Sequence, residues 1–173
     1  MRTFLFSLAA MAAFLGVVRA DDPKPAKPDD APKPSKGAYV VVIGVSDTAD
    51  PTILPRPSAD ADAKAVYDLF ADTQYLDAKP ERVKLLTSKA DDKRKGQVAT
   101  RENILKAVRE AVAGTGKDDL LVIAWFGRGA SAGDRTCLFA ADTTFKERAK
   151  TGVLGADLEP ELKAARQDRK SVV

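Results

Sequence analysis

The chain has 173 residues, of which 45% are apolar and 31% are charged, and its formal net charge is +3. This length allows one domain with its own core, and the mixing of basic and acidic residues, without a basic stripe that carries aromatic side chains, argues against nucleic acid binding. The sequence has no histidine and one cysteine, Cys137, which excludes an internal disulfide and removes the commonest general base and metal ligand.

Residues 1–20 have the pattern of a secretory signal peptide. Arg2 supplies the positive start, the apolar run extends from Phe4 to Val18, and modest side chains precede a cleavage point near Ala20. The run is short for a membrane-spanning helix. No cysteine lies at the cleavage point, which argues against a bacterial lipid anchor. We therefore expect an exported protein, secreted or periplasmic, that is free of the membrane after cleavage.

Residues 21–37 differ sharply in composition from both neighbours. The segment Asp21 to Gly37 has five prolines and no large apolar side chain. Such a segment buries too little surface to offset the entropy lost on ordering. We interpret it as an extended, partly polyproline linker between the signal peptide and a domain at 38–173. A proline-rich ligand for a binding module is the alternative.

The domain begins with alternating strand and helix patterns. Tyr39 to Val45 is a continuous, largely β-branched run, which is typical of a strand buried on both faces. Helical spacing follows, with acidic residues in its first turn, where the helix dipole favours them. A second short strand is predicted at Val83 to Leu86. The predicted helix contains Asp60, Asp62, Ala63, Val66, Leu69 and Phe70.

The second half continues the same alternation. Thr100 is a good N-cap for a helix that ends near Gly114 and Gly116, and Leu120 to Phe126 predicts a third buried strand. Ser171 to Val173 has the pattern of a strand opening. The remaining expectations are a helical stripe of Ile104, Leu105, Val108, Ala111 and Val112, a short strand at 136–141, and a helix with Leu158, Leu162 and Ala165 that has Pro160 in its first turn.

This order predicts an α/β fold with a mostly parallel sheet and right-handed crossovers. Sites in such sheets lie at the carboxyl ends of the strands. The segments Val45 to Asp47 and Gly127 to Gly129 follow two predicted strands. We therefore expect functional residues there.

Four motifs in order resemble the caspase and metacaspase superfamily of cysteine endopeptidases. They are the strand Val41-Val42-Ile43-Gly44-Val45, the helix start Asp62-Ala63-Lys64-Ala65-Val66, the helix opening Thr100-Arg101-Glu102-Asn103-Ile104, and a strand from Asp119 that leads into Phe126-Gly127-Arg128-Gly129. The resemblance covers most of the domain. It implies a three-layer caspase-like fold of which this chain is the N-terminal, large-subunit-like part, truncated after the fourth core strand begins, and proteolysis as the family's activity.

The resemblance also implies two catalytic residues that this sequence does not supply. The family's histidine closes the third strand, where this chain has Arg128. A guanidinium stays protonated and cannot act as a general base. The family's cysteine follows the fourth strand, beyond Val173. Cys137 does not replace it, because a single cysteine in a strand pattern is typical of core packing. We therefore expect a chain without an intact catalytic pair.

Other candidate residues come from the resemblance and carry less weight. Arg56 has the spacing of an arginine by which animal caspases bind an acidic substrate side chain, although an exposed arginine in a Pro-rich loop is the favoured interpretation. Asp118 and Asp119 resemble acids that bind calcium in some metacaspases, but calcium takes six to eight oxygens. Asp60 and Asp62 form a D-x-D pair that a helix first turn explains. We expect no cofactor and no metal.

Three functional hypotheses follow. The first is a caspase-like pseudoenzyme that binds or assembles without cutting peptides. The second is a large-subunit-like part of a cysteine endopeptidase that a protein partner or second subunit completes, with peptide binding as the expected interaction. The third is an unrelated α/β ligand-binding module, although neither a dinucleotide fingerprint nor a Walker motif is present.

Overall fold

The computed structural model describes residues 37–72, 78–167 and 171–172. The predicted signal peptide, its cleavage point near Ala20 and the linker up to residue 36 lie outside the described residues. Within them, no helix has the length and apolar character needed to cross a membrane. In chain order the elements are β1 (Ala38–Gly44), α1 (Ala59–Ala71), β2 (Val83–Thr87), β3 (Gln97–Val98), α2 (Arg101–Gly114), β4 (Leu120–Phe126), β5 (Gly129–Ala132), β6 (Arg135–Leu138), α3 (Arg148–Thr151), β7 (Val153–Leu154), α4 (Gly155–Gln167) and β8 (Ser171–Val172).

The central sheet is parallel and has the order β3-β2-β1-β4-β8 within the described residues. Strand β1 lies in the middle, with Val42 opposite Leu85 of β2 on one side and Ala124 of β4 on the other. The side chains of its centre, Val40 to Ile43, are fully buried. The prediction of a mixed α/β fold with a mostly parallel sheet is confirmed, because a strand with neighbours on both edges and helices on both faces needs an unbroken apolar run.

Helices cover both faces of the sheet and complete a three-layer arrangement. One core cluster joins α1 to the sheet through Ala63, with Val66, Tyr67 and Phe70 partly buried against it. The other cluster joins α2 and α4 to the opposite face. Leu69 shares the helical spacing that predicted α1, but it is 45% exposed. The sheet-facing residues of α1 follow a narrower stripe at i, i+3, i+4 and i+7, which leaves Leu69 on the solvent side.

Helix α2 begins and packs as its sequence predicts. The Oγ1 of Thr100 accepts a hydrogen bond from the backbone N–H of Asn103 at 3.2 Å, which satisfies one of the free donors of the first turn. The buried positions include Ile104, Val108 and Ala111. Leu105, which was expected in the buried stripe, is only partly buried, whereas Ala107, which was not expected there, is buried in the core. The helix ends at Gly114.

Helix α4 begins earlier than its apolar spacing predicts. Asp157, in the first turn, accepts a hydrogen bond from the backbone N–H of Leu154 at 2.8 Å and forms an ion pair with Arg101 at 3.0 Å. This cap places the start at Gly155, so Pro160 lies inside the helix and not in its first turn. The expectation for Pro160 was therefore wrong, because a side chain outside the apolar stripe sets the boundary.

A small antiparallel sheet with the order β5-β6-β7 was not predicted. Strands β5 and β6 join through a two-residue turn in which Gly133 has a φ of 67°. A glycine with positive φ at the first turn position suits the twist of a hairpin. The strand expected at 136–141 ends at Leu138. The N–H of Phe139 still bonds to the carbonyl of Arg128, next to β5, whereas the N–H of Ala141 bonds to the carbonyl of Ala99.

Candidate functional site at the carboxyl ends of the strands

The carboxyl ends of the parallel strands β1, β2 and β4 meet along one edge of the central sheet. Beyond the ladder, the N–H of Val45 donates to the carbonyl of Phe126 at 2.8 Å, so the two loops that follow β1 and β4 leave the sheet side by side. This edge is where an open parallel sheet presents its loops to a ligand. It carries both segments that the sequence singled out.

Asp60 organises the first part of this edge. Its Oδ1 accepts hydrogen bonds from the backbone N–H of Ser46 at 3.1 Å, the N–H of Ser88 at 3.2 Å and the hydroxyl of Ser88 at 3.0 Å. The hydroxyl of Ser88 in turn accepts from the N–H of Asp47. Asp60 therefore ties the ends of β1 and β2 to α1, and the D-x-D pair has a structural use. The sequence analysis missed Ser88, although its place directly after β2 was a signal for it.

Two arginines bind the loops after β1 and β4 to each other. The Nη1 of Arg56 donates to the carbonyl of Gly127 at 3.2 Å, while Nε and Nη2 of Arg128 donate to the carbonyl of Pro55 at 3.2 and 3.0 Å. Arg56 also lies 3.7 Å from the carboxylate of Asp62. The structure thus brings the two sequence-predicted arginines together, as reciprocal contacts that we call the arginine clasp.

A cleft of about 420 Å³ opens beside the arginine clasp. Its walls combine the exposed Arg128 with apolar side chains, of which Leu54 and Phe145 are 71% and 45% exposed. The guanidinium of Arg148 lies over the ring of Phe145 at 4.6 Å. The cleft is therefore apolar with a cationic margin. Its side chains can contact a ligand, but the arginine at its margin cannot act as a general base.

Cys137 lies on β6 and is fully buried. Its Sγ donates to the carbonyl of Arg148 at 3.1 Å, and it packs with Ile53 and Phe139. Burial raises the pKa of the Cys137 thiol, with a smaller contribution from Asp157, against the opposing charges of Arg148 and Arg101. A buried thiol with a raised pKa supplies little thiolate, which supports the prediction that Cys137 serves packing.

We expect Cys137 to react slowly with thiol reagents in the native protein. Because its pKa is raised, the thiolate fraction at pH 8 is smaller than that of a free cysteine, and burial limits access further. The rate with an aromatic disulfide reagent should be at least about tenfold lower than in the urea-unfolded chain. Equal rates in the two states would contradict a packing role.

The calcium candidates lie at the opposite edge of the sheet. Asp118 and Asp119 precede β4 and are therefore far from its carboxyl end. The Oδ2 of Asp119 accepts a hydrogen bond from the N–H of Gly116 at 2.9 Å, which closes the turn before β4. In the described part of the chain, no three Cys, Asp or Glu side chains are grouped so as to hold a metal ion.

Comparisons with known proteins agree with this architecture. The family model of the caspase domain matches residues 38–167. Among solved structures, the crystal structure of protein GSU0716 from Geobacter sulfurreducens matches with a TM-score of 0.56 and 17% sequence identity, over 74% of this chain and 45% of that one. The chain thus spans less than half of that structure, and a likeness at this identity concerns the fold alone. None of the curated proteins matches the sequence.

The family match begins at the first residue of β1 and ends at the last residue of α4. It therefore covers the parallel sheet except β8, the helices on both of its faces and the carboxyl edge with the arginine clasp. The chain belongs to the caspase-domain family, which is a family of cysteine peptidases.

Proposed function

We propose that this chain is a caspase-like domain that binds a peptide at its carboxyl edge and does not itself cleave peptides. The observation that carries the proposal is Arg128, which by sequence matches the position of the family's histidine. Its guanidinium donates two hydrogen bonds to the carbonyl of Pro55. A cysteine peptidase needs a thiolate nucleophile and a group that accepts and returns a proton. Arg128 cannot accept the proton at ordinary pH.

The remaining side chains near this edge support the same proposal. None of the 173 residues is a histidine. The carboxylate of Asp60 is engaged by three donors, and Cys137 is buried on β6. The cleft beside the arginine clasp still has a shape and a chemistry suited to binding, because apolar walls and a cationic margin fit a peptide with an apolar side chain.

A sensitive peptidase assay tests the loss of activity. Fluorogenic peptides with arginine, lysine or aspartate before the scissile bond should show no turnover above a buffer blank. Cys137→Ala should be indistinguishable from the wild type, and Arg128→His alone should not create activity, because no accessible thiol faces it. Turnover by the wild type that disappears in Cys137→Ala would overturn the proposal.

A second candidate is the large-subunit-like part of a peptidase that a partner completes. The observation that favours it is the outer edge of β4. Strand β8 pairs only with Leu120 and Leu121, so within the described residues no strand lies beside Val122–Phe126 on that side. A partner strand there would bring its own cysteine. Co-purification from the native source should then recover a second chain with a reactive thiol, whereas a single species without bound protein would count against it.

We also propose that the protein is exported and that its Pro-rich linker separates the signal peptide from the domain. The support is the sequence pattern of residues 1–20 and the composition of residues 21–37. Mass spectrometry of the protein produced with its native leader should find an amino terminus at Asp21. An intact Met1 in the mature protein would contradict export by this route.

A further inference from the structure

The cleft beside the arginine clasp, which we call the carboxyl-edge cleft, is braced by contacts within the chain. The carboxylate of Asp50 joins two of its lining residues. Oδ1 accepts hydrogen bonds from the N–H and the hydroxyl of Thr52 at 2.9 and 2.7 Å, and Oδ2 accepts from the N–H of Phe145 at 2.8 Å. The ring of Phe145 also meets that of the buried Phe139 nearly edge to face, with 6.4 Å between the ring centroids. Since these contacts need no ligand, the cleft is preformed, which lowers the entropy cost of binding.

The apolar part of this cleft is open to solvent. Ile53 and Phe139 are buried, whereas the side chains of Leu54 and Phe145 are among the large apolar groups that the described residues leave exposed. Covering such groups with a further apolar side chain removes their surface from water and is favourable. The cleft therefore favours a ligand with a large apolar side chain.

Arg128 brings a positive charge to the same cleft. Its Nε and Nη2 donate to the carbonyl of Pro55, which is uncharged, and Nη1 has no hydrogen-bond partner in the described part of the chain. Among the described residues, no carboxylate lies within ion-pair distance of Arg128. The guanidinium of Arg148, over the ring of Phe145, adds a second positive charge nearby. Arg128 thus keeps both its charge and a donor for a carboxylate.

The backbone of Gly129 adds a second donor beside this guanidinium. A two-residue turn joins β5 to β6, so Ala132 and Arg135 form a hydrogen-bonded pair, and such pairs alternate with non-bonded pairs along an antiparallel ladder. The N–H of Phe139 donates to the carbonyl of Arg128 at 2.9 Å, which continues this alternation past the end of β5. Gly129 therefore lies in a non-bonded pair, and its N–H points away from β6. Outside the ladder, this N–H has no acceptor among the described residues, and Gly129 is exposed and lines the cleft.

The cleft thus places a cation and a free N–H next to an apolar surface. The last residue of a polypeptide has the complementary groups on a single Cα, because its carboxylate is bonded to the atom that carries the side chain. Within an extended chain, an acidic and an apolar side chain on the same face lie two residues apart, or about 6.6 Å. The cleft volume of about 420 Å³ is at the low end for ligand sites. The small volume favours the more compact of the two arrangements.

We propose that the carboxyl-edge cleft binds the carboxy terminus of a polypeptide that ends in a large apolar residue. The last side chain packs against Leu54 and Phe145, and the α-carboxylate accepts hydrogen bonds from Nη1 of Arg128 and from the N–H of Gly129. Capture of a terminal carboxylate by backbone N–H groups is a recurring mode of peptide recognition. Because this binding specifies the ligand of the peptide binding proposed above, it rests on that proposal.

Amide NMR spectra of the isotope-labelled full chain, titrated with matched peptides, test which group is recognised. The probe is amino-terminally acetylated Gly-Ser-Gly-Ser-Ala-Leu with a free carboxy terminus. We expect saturable binding and a downfield shift of the Gly129 amide proton, because this N–H gains a charged acceptor. The same peptide with a terminal amide should bind at least about tenfold more weakly, since it has no charge for Arg128. Replacing the terminal leucine with alanine should cost about tenfold as well, because less apolar surface is covered.

A further peptide separates the two possible sources of a carboxylate. Acetylated Gly-Ser-Gly-Asp-Ala-Leu with a terminal amide has its carboxylate on a side chain. It should bind no more than about twofold more tightly than the amidated probe, because its acid lies two residues from the leucine.

Variants of the protein locate the site. Arg128→Gln should weaken binding of the free-acid probe at least about tenfold, and Arg128→Lys, which keeps the charge but not the planar fork, should weaken it less. The matched control is Arg135→Gln, which removes an exposed arginine of β6 outside the cleft and should stay within twofold of the wild type. Leu54→Ala leaves the arginine clasp intact and should reduce the advantage of terminal leucine over terminal alanine.

Different outcomes separate this proposal from the function on which it rests. Equal binding of the free-acid and amidated probes, or equal binding of the peptide with the internal aspartate, would overturn recognition of the carboxy terminus and leave peptide binding standing. Equal losses in Arg128→Gln and Arg135→Gln would show a general charge effect and overturn it too. No shift with any peptide at millimolar concentration would overturn both this proposal and the peptide binding at the carboxyl edge.

Discussion

Gly44→Ala should destabilise the domain by about 3 kcal/mol, although it adds a single methyl group. A Cβ at this position would lie 2.6 Å from the carbonyl oxygen of Ala59 and 2.7 Å from the Cβ of Ala63. Both atoms belong to α1, where it crosses the end of β1. Since a backbone oxygen cannot rotate away, the helix must shift, and the shift disturbs Asp60 and its bonds to the carboxyl edge.

Gly155→Ala is the matched control for Gly44→Ala. Gly155 is the first residue of α4, and a Cβ there meets no atom within 4 Å. The same substitution should therefore be neutral or slightly stabilising, because alanine restricts the unfolded chain and favours a helix. Urea denaturation followed by circular dichroism measures both variants. Similar midpoints for the two would show that the close contact of α1 with β1 is not required.

Leu121→Ala should cost about 3 kcal/mol of unfolding free energy. Leu121 is fully buried on β4, between the sheet and the α2/α4 layer. Truncation removes the transfer free energy of the lost methyl groups and leaves a cavity, because β4 is held in register with β1 and cannot collapse into the space. The expected result is a lower denaturation midpoint with an unchanged slope.

Leu54→Ala is the control that separates the effect of burial from the effect of the Leu→Ala truncation itself. The same atoms are removed, but Leu54 is 71% exposed, at the margin of the carboxyl-edge cleft. Its free energy of unfolding should stay within about 0.5 kcal/mol of the wild type. If Leu54→Ala were as damaging as Leu121→Ala, the loop after β1 would have to be part of the core, contrary to its exposure.

The family and the central architecture could be predicted from sequence because they rest on local patterns. Periodicity or capping chemistry alone predicts three of these elements: the strand at Tyr39 to Val45, the helix start at Thr100 and the strand at Leu120 to Phe126. The motif order around Gly44 and Arg128 identified the caspase resemblance. The sequence could not show why position 44 needs a glycine, because a glycine does not reveal that helix α1 packs against it or how close the helix comes.

The carboxyl edge was located from sequence, but its contacts were not. Strand ends point to a site by topology alone, which placed Ser46 and Arg128 correctly near it. The sequence could not show that Arg56 and Arg128 reach each other's loops, or that Ser88 and Asp60 share a hydrogen-bond network, because these partners are 14 to 73 residues apart.

What the amino-acid sequence by itself determined is the sheet, the flanking helices and the absence of a histidine from these 173 residues, since periodicity, capping and composition are local properties. The tertiary structure alone decided the small β5-β6-β7 sheet, the cap that starts α4 at Gly155 and the contacts of the arginine clasp. Each of these depends on which surface packs against which, and burial and strand pairing are set by contacts between distant segments.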